Sequence, residues 1–307
     1  MPLDPVSIRE SVTPHPMLSS DAETIAGALA IFSGGIDKNE IDLVLVNSLV
    51  PDRYIPLNAS LIQHKLGLRN AGAYNVDTCC ASFITMLEIA VGLICAGIKK
   101  KVLIVASAID SHINDKSTYY SVDTGDAAVA GVVSQVEDGY GYMASHSTSH
   151  GNRHAAIILH TRRPELLMST SHGPTYEQVF VTFNDQTLCK EIAANAQKDL
   201  VEVVSKTVGK ANLSLADIDF LVTHQPVAWT ANAWREALRV PPEKFYESFG
   251  RYGNMACCSV AVNLLEALEK HFVAEGNKVL MASSGVGENH IALLERVSQK
   301  LVRSVSN

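Results

Sequence analysis

Three residues in this chain have the types and settings that suit nucleophilic acyl chemistry. Cys80 stands in Asp77-Thr78-Cys79-Cys80-Ala81-Ser82-Phe83, directly before a long apolar run. If that run is a helix, the thiol faces unpaired N–H groups and the positive end of the helix dipole, which favours thiolate. A thiolate is the nucleophile that forms thioesters. The plainer reading of such a cysteine is a small buried hydrophobe. His224 follows the apolar Phe220-Leu221-Val222, in Thr223-His224-Gln225-Pro226. The carboxyl end of a parallel strand is the edge where α/β sheets bind ligands. A capping or satisfied core imidazole is the alternative there. Asn254 lies in Arg251-Tyr252-Gly253-Asn254-Met255, ahead of a second apolar run. Alone, it would pass for a helix N-cap.

The elements that must position these residues are repeated. An offset of 177 residues pairs Leu43 with Phe220, and the same offset pairs Lys101-Val102-Leu103-Ile104 with Lys278-Val279-Leu280-Met281. It also lays Cys79-Cys80-Ala81-Ser82 on Ala256-Cys257-Cys258-Ser259. Matches of two strands and a helix start at one offset mark a duplicated α/β half. The pattern predicts helices over 22–32 and 193–208, strands over 43–46 and 220–222, and helices over 59–65 and 229–238. Long apolar helices follow over 82–96 and 260–273, with closing strands over 102–106 and 279–282. Short apolar strands alternating with helices predict mostly parallel sheets, in layers with the long helices between them. Gly, Ser and Tyr cluster over 139–151 and divide the chain into halves 1–145 and 146–307. The equivalent turns at Cys79-Cys80 and Ala256-Cys257 should meet near a pseudo-twofold axis. Cys80, His224 and Asn254 should converge there.

At these positions the chain resembles the β-ketoacyl-(acyl-carrier-protein) synthase III family, a branch of the thiolase-fold condensing enzymes. The resemblance rests on Cys80-Ala81-Ser82-Phe83, Gly125-Asp126-Ala127-Ala128, His224-Gln225, Gly253-Asn254 and Gly285-Val286-Gly287, and runs in order from about Asp21 to Leu294. It implies a thiolase-like αβαβα fold made of two duplicated halves. It implies that Cys80 takes an acyl group from acyl-CoA or from an acyl-carrier thioester. A malonyl thioester then decarboxylates, with His224 and Asn254 donating hydrogen bonds to its carbonyl, and the carbanion attacks acyl-Cys80. Backbone N–H groups of Cys80 and the Gly285 turn would hold the oxyanion, as developing charge requires. Phe83, Met86 and Ile55 would shape the acyl pocket. Ile55-Pro56 resembles the loop by which relatives reach across a homodimer. No cofactor is implied, since coenzyme A or carrier phosphopantetheine enters as substrate.

Some residues depart from the family pattern. The early Trp-x-x-x-Arg segment that clasps the adenine end of coenzyme A in relatives is missing. Pro226, Val227, Ala228 and Trp229 follow His224-Gln225, where relatives carry Ala-Asn and then Arg. The last glycine run reads Ser283-Ser284-Gly285-Val286-Gly287. These departures point to a specialised role in fatty-acid or polyketide metabolism. Two rivals stay open. One is an acyltransferase on the same fold that acts without decarboxylation; the other is a non-catalytic or partner-dependent subunit of a heterodimer. Asn254, an enolate stabiliser, speaks for carbon–carbon bond formation.

The rest of the sequence excludes more than it adds. With 307 residues, 47% hydrophobic and 19% charged, the chain can bury a large core and does not read as disordered. Its most apolar helix, 84–98, is broken by Thr85, Glu88 and two glycines and is too short to span a bilayer. A net charge of −7 without a Lys/Arg stripe excludes a nucleic-acid binder. Lys99-Lys100-Lys101 reads as the basic end of a helix. The six cysteines have no C-x-x-C spacing, and the start has no export signal, so reduced thiols in a cytoplasm are expected. His146, His150 and His154 recur every four residues, but Ser147-Thr148-Ser149 and Gly151-Asn152 favour loop or strand, and no metal is expected. Arg162-Arg163 reads as a solvated turn, and Trp229 and Trp234 as packing residues.

Overall fold

The structure, a computed structural model, describes residues 3–7, 17–114, 119–161 and 179–305. Arg162 and Arg163 lie outside the described residues. The first half contains β1 (Leu3–Ser7), α1 (Ser19–Ser33), β2 (Leu43–Ser48), α2 (Ala59–Leu66) and β3 (Gly72–Asn75). It continues with α3 (Ser82–Cys95), β4 (Lys101–Ala108) and β5 (Ala127–Ser134). The second half opens with β6 (Gly141–Ser149), the hairpin β7 (Ile157–Thr161) and β8 (Val179–Phe183), and α4 (Gln186–Lys210). Then come β9 (Phe220–Thr223), α5 (Thr230–Ala237), β10 (Phe245–Tyr246) and α6 (Phe249–Tyr252). It ends with α7 (Ser259–Glu269), β11 (Lys278–Gly285), β12 (Asn289–Arg296) and α8 (Gln299–Val305).

The two halves build matching sheets. One has the order β3-β2-β4-β5-β1 and the other β10-β9-β11-β12-β6. In each, three strands are parallel: β3, β2 and β4, or β10, β9 and β11. The two outer strands run antiparallel, β5 against β4 and β1, β12 against β11 and β6. The sheets are therefore mixed rather than mostly parallel. The sequence reading missed the antiparallel strands because β5, Ala127-Ala128-Val129-Ala130-Gly131-Val132-Val133, is built of small residues and opens inside a glycine turn. β6 runs across the expected 145/146 division and lies wholly in the second sheet, so that sheet begins at Gly141.

Burial sorts the elements into five layers. α3 and α7 lie between the sheets: Phe83, Met86, Val260 and Leu264 pack with Leu45 and Ile104 of the first sheet and Val222 and Met281 of the second. Helices apolar nearly all round take such a place because every face meets a sheet. α1 and α2 cover the outer face of the first sheet through Ala22, Ala26 and Ile62. α4 and α5 cover the second through Leu200, Val204 and Trp234, whose indole N–H donates to the Ala196 carbonyl. Trp229, by contrast, is exposed. α4 starts about two turns earlier than its apolar period, because the Asp185 side chain accepts the N–H groups of Thr187 and Leu188. No helix among the described residues is long and apolar enough to cross a membrane.

Candidate active site

The duplication delivers two strained turns to one place. Each long central helix is preceded by a single 3-10 turn, Cys79–Ala81 before α3 and Ala256–Cys258 before α7. Cys79 and Ala256 are equivalent at the 177-residue offset, and both have positive φ, 53° and 43°. Such values are uncommon outside glycine, and they cluster at functional sites. In both halves the residue two before the strained position caps its N–H. Asp77 Oδ1 accepts from Cys79 N at 2.7 Å, and Asn254 Oδ1 accepts from Ala256 N at 2.8 Å. The two turns pack against each other.

β11 closes over the Cys80 turn. Ser283 Oγ donates to the Cys80 carbonyl at 2.9 Å. Gly285 approaches so closely that a Cβ there would lie 2.2 Å from the Thr78 oxygen and 3.1 Å from the Cys80 nitrogen. Only glycine admits this contact. The next N–H, that of Val286, faces the sulfurs of Cys79 and Cys80 and favours their ionised form.

The thiol itself departs from the sequence expectation. Cys79 Sγ lies 3.8 Å from Cys80 Sγ. The Cys79 side chain, burial and the carboxyl of Asp110 push the Cys80 thiol well up, and the same pairing holds Cys79 down. The pair shares its ionisation, and the neighbouring sulfur outweighs the helix terminus. Asp110, at the carboxyl end of β4, escaped the sequence reading, although an acid directly after a buried strand is a usable signal. Burial and then Asp126 push its carboxyl up to about 8. Asp126, from the Gly125-Asp126 turn, is itself held by the Ser111 N–H at 2.9 Å.

His224 and Asn254 reach the same place from the second half. His224 is buried after β9, and burial takes its imidazole down to about 3, with the Ala256 carbonyl opposing. The ring is neutral at physiological pH, and its Nδ1 is buried without a hydrogen-bond partner. Gln225 Nε2 donates to the Gly253 carbonyl at 2.8 Å and ties this strand end to the Asn254 turn. Asn254 is clamped by the Gly125 turn: its N–H donates to the Asp123 carbonyl at 2.6 Å, and its carbonyl accepts from Gly125 N at 2.9 Å. A Cβ at Gly253 would sit 2.4 Å from the Asp123 oxygen, and one at Gly125 2.0 Å from the Tyr252 oxygen, so both glycines are required. With Oδ1 on Ala256, the Asn254 amide keeps its NH₂ as a donor.

The structure thus draws Cys80, His224, Asn254 and Gly285 together through the Ala256 and Thr78 turns. The expected pocket residues separate. Phe83 and Met86 are fully buried in the central core, whereas Ile55 is 90% exposed. The histidine run also separates. His146 lies within β6 and faces Lys210, His154 bonds the Gly151 carbonyl, and His150 faces Asp199.

Two family models match the chain. One, described as 3-Oxoacyl-[acyl-carrier-protein (ACP)] synthase III, covers residues 74–151; the other, described as its C terminal, covers residues 208–297. The β-ketoacyl-[acyl-carrier-protein] synthase III of Ehrlichia canis is 32% identical over 267 residues, 84% of this chain and 79% of the relative. That of Caldanaerobacter subterraneus subsp. tengcongensis is 29% identical over 270 residues, 88% of this chain and 80% of the relative. The crystal structure of 3-oxoacyl-[acyl-carrier-protein] synthase III from Aquifex aeolicus superposes with a TM-score of 0.80 at 26% identity, over 92% of this chain and 86% of that one.

Proposed function

The chain belongs to the β-ketoacyl-[acyl-carrier-protein] synthase III family of condensing enzymes, and we propose that Cys80, His224 and Asn254 carry its reaction. The Cys80 sulfur attacks the carbonyl of an acyl thioester, of coenzyme A or of a carrier protein. The donor's thiol leaves with the Cys80 proton, and an acyl-Cys80 thioester remains. A malonyl thioester then loses CO₂, and the electron pair of the broken C–C bond becomes an enolate. The neutral His224 ring and the Asn254 NH₂ donate to the enolate oxygen. The enolate carbon attacks acyl-Cys80, and the Cys80 sulfur leaves as thiolate and regains a proton. The N–H groups of Cys80 and of the Gly285-Val286 turn face the place where both tetrahedral oxyanions form. Preorganised donors in a dry site favour that charge.

One observation supports this reading above the others: the Asn254 amide spends its oxygen on the Ala256 N–H and keeps its donor free beside a neutral imidazole. A simple acyltransferase has no enolate to hold and no use for that donor. A non-catalytic subunit has no use for the strained Cys79-Cys80 turn. The substrates need no cofactor on this reading. A homodimer fits as well: β3 is a sheet edge, Tyr74 on it is exposed, and Ile55 stands clear of its own chain.

The test is the intact mass after incubation with a panel of acyl-CoAs and acyl-carrier thioesters, with Cys80→Ala as control. A gain of one acyl group, lost in the variant, is expected. CO₂ release from a malonyl thioester by the acylated protein is expected next. Acylation without CO₂ release would make the protein a transferase to another acceptor. No adduct with any donor would remove the nucleophile from Cys80.

A further inference from the structure

We propose that His150, Asp199 and His290, with Glu288 beside them, bind a divalent first-row transition-metal ion behind the turn that carries Gly285 and Val286. The inference does not depend on the condensing reaction.

The clearest sign is His290, on β12. It is 2% exposed, and its Nδ1 is bonded to Ser284 Oγ at 2.9 Å. That bond fixes the ring and leaves Nε2 as the free nitrogen. Nε2 is buried without a hydrogen-bond partner, 3.7 Å from Glu288 Oε2. A buried polar atom with no partner is costly and calls for an explanation. A metal ion is one: a ligating histidine commonly has its other ring nitrogen held by a polar group, as Ser284 holds this one.

The remaining donors surround that nitrogen. His150 Nε2 is 3.7 Å from Asp199 Oδ1, and the two imidazole rings stand 5.4 Å apart and tilted by 60°. One donor atom from each of His150, Asp199 and His290 lies within 4.8 Å of the others. Ligand bonds of about 2.0–2.2 Å place such atoms roughly 3.3–3.6 Å apart around a tetrahedral ion, so the set needs to contract by about 1 Å. His150 is the residue free to move, since its side chain is 35% exposed. Its backbone is already placed, with its N–H on the Glu288 carbonyl at 2.9 Å.

Charge points the same way. Arg153 bonds Asp199 Oδ2 at 2.7 Å, Glu288 Oε2 at 3.1 Å and Glu191 Oε1 at 2.8 Å. One guanidinium thus serves three carboxylates; Glu191 is 41% exposed, and the buried Arg153, Asp199 and Glu288 together carry one net negative charge. Asp199 and Glu288 are both buried, where uncompensated charge is expensive. A bound cation offsets that charge. Arg153 takes Oδ2 of Asp199 and leaves Oδ1 turned to His150, so the guanidinium and the ion use different oxygens. Two imidazoles and a carboxylate suit zinc, iron(II) or cobalt(II), and not magnesium or calcium.

The site was not legible from spacing. Of the three histidines at four-residue intervals only His150 takes part; its partners come from α4 and β12, far along the chain.

The test uses the full chain with Cys79→Ala and Cys80→Ala, which removes the active-site thiols as competing ligands. Cobalt(II) and zinc are titrated by calorimetry, and the cobalt form is read by its visible spectrum. One equivalent should bind, with ligand-field bands and no thiolate-to-cobalt charge-transfer band. His150→Ala and His290→Gln should each weaken binding at least about tenfold. Should the buried His290→Gln misfold by circular dichroism, the half-exposed His150→Ala decides alone. No saturable binding, a thiolate band, or undiminished affinity in the folded variants would overturn the proposal.

Discussion

Gly285→Ala should disable the Cys80 turn without touching any side chain of the site. The added Cβ would stand 2.2 Å from the Thr78 oxygen, 3.0 Å from Ala81 N and 3.1 Å from Cys80 N. All three are backbone atoms, so no rotamer change relieves the contact. An ordinary carbon–oxygen approach is about 3.3 Å, and the two segments must separate by about 1 Å. β11 is clamped between β9 and β12, so the turn at 78–81 has to give. That turn carries the Thr78 carbonyl, which accepts from Ala81 N at 3.2 Å and shapes the start of α3. A misplacement of about 1 Å at a reacting group costs on the order of 10² in rate. The overpacking should cost about 1–3 kcal/mol of stability as well. Gly287→Ala is the control. Its φ of 85° makes alanine strained there, but the Cβ would meet only the Asn289 Nδ2, at 3.3 Å. It should lose stability with far less effect on Cys80. The assay is single-turnover acylation of Cys80 followed by intact mass, beside urea denaturation of each variant. A folded Gly285→Ala that acylates within threefold of the parent, or a Gly287→Ala that loses as much, would refute the argument.

Three further outcomes are expected. Cys79→Ala removes the first cause that holds the Cys80 thiol up, so iodoacetamide should label Cys80 faster near pH 7. The gain should be about threefold per unit of lowered pKa, since thiolate nucleophilicity falls as its fraction rises; an unchanged rate would remove Cys79 from the control of Cys80. Asn254→Asp keeps the acceptor for Ala256 N and deletes the donor, so decarboxylative condensation should fall by about 10²–10³ while acylation of Cys80 stays within a few-fold. Equal losses in both steps would count against an enolate-binding role. Asp110 keeps its proton up to about pH 8 in the folded chain, whereas the unfolded carboxyl ionises near its ordinary value of 3.8. The folded state therefore binds more protons in that window, and its stability should fall as pH rises, by about 1.4 kcal/mol per unit well below pH 8 and by about 1 kcal/mol between pH 7 and 8. Between pH 7 and 8 His224, depressed to about 3, and Glu295, raised to about 6, are silent. Urea midpoints across that interval should slope down in the parent and flatten in Asp110→Asn; parallel slopes would exclude Asp110.

The turns that carry the candidate site were legible because they are local. A cysteine before a buried helix, a histidine after a strand and an asparagine before the matching helix are all read within a few residues, and the internal repeat adds their convergence. What depended on other segments was not legible. The antiparallel strands β5 and β12 open just after glycine turns, at Gly125-Asp126 and Gly285-Val286-Gly287, which read as site motifs rather than as strand connections. Dipole reasoning alone put a thiolate on Cys80, because it could not know that Cys79 Sγ would stand 3.8 Å away or that Asp110 would approach. Ile55 resembled a pocket residue, yet it is 90% exposed on its own chain. The cluster around His290 joins the end of β6, α4, β12 and the turn before it, and no spacing rule reaches across such distances.

The offset that relates the halves also shows how one site came from two turns. Cys80 corresponds to Cys257, Asp77 to Asn254 and Asn47 to His224. Both halves keep the cap and the strained turn, yet each keeps only part of the chemistry. Cys257 is fully buried, held up by Cys258 and burial, with its sulfur against the Ser107 carbonyl at 3.5 Å. Cys80 is only half-buried and faces the Val286 N–H instead. In the first half Asp77 caps its turn with one oxygen and offers a second acceptor, which would repel an enolate. In the second half Asn254 caps with its oxygen and offers two N–H donors. Asn47 spends its amide on the Val76 carbonyl at 2.9 Å, whereas His224 keeps Nδ1 unpartnered. On the proposed reading, the nucleophile fits only the half with access, and the donors only the half whose cap is an amide. Their meeting at the pseudo-twofold axis makes each half incomplete without the other.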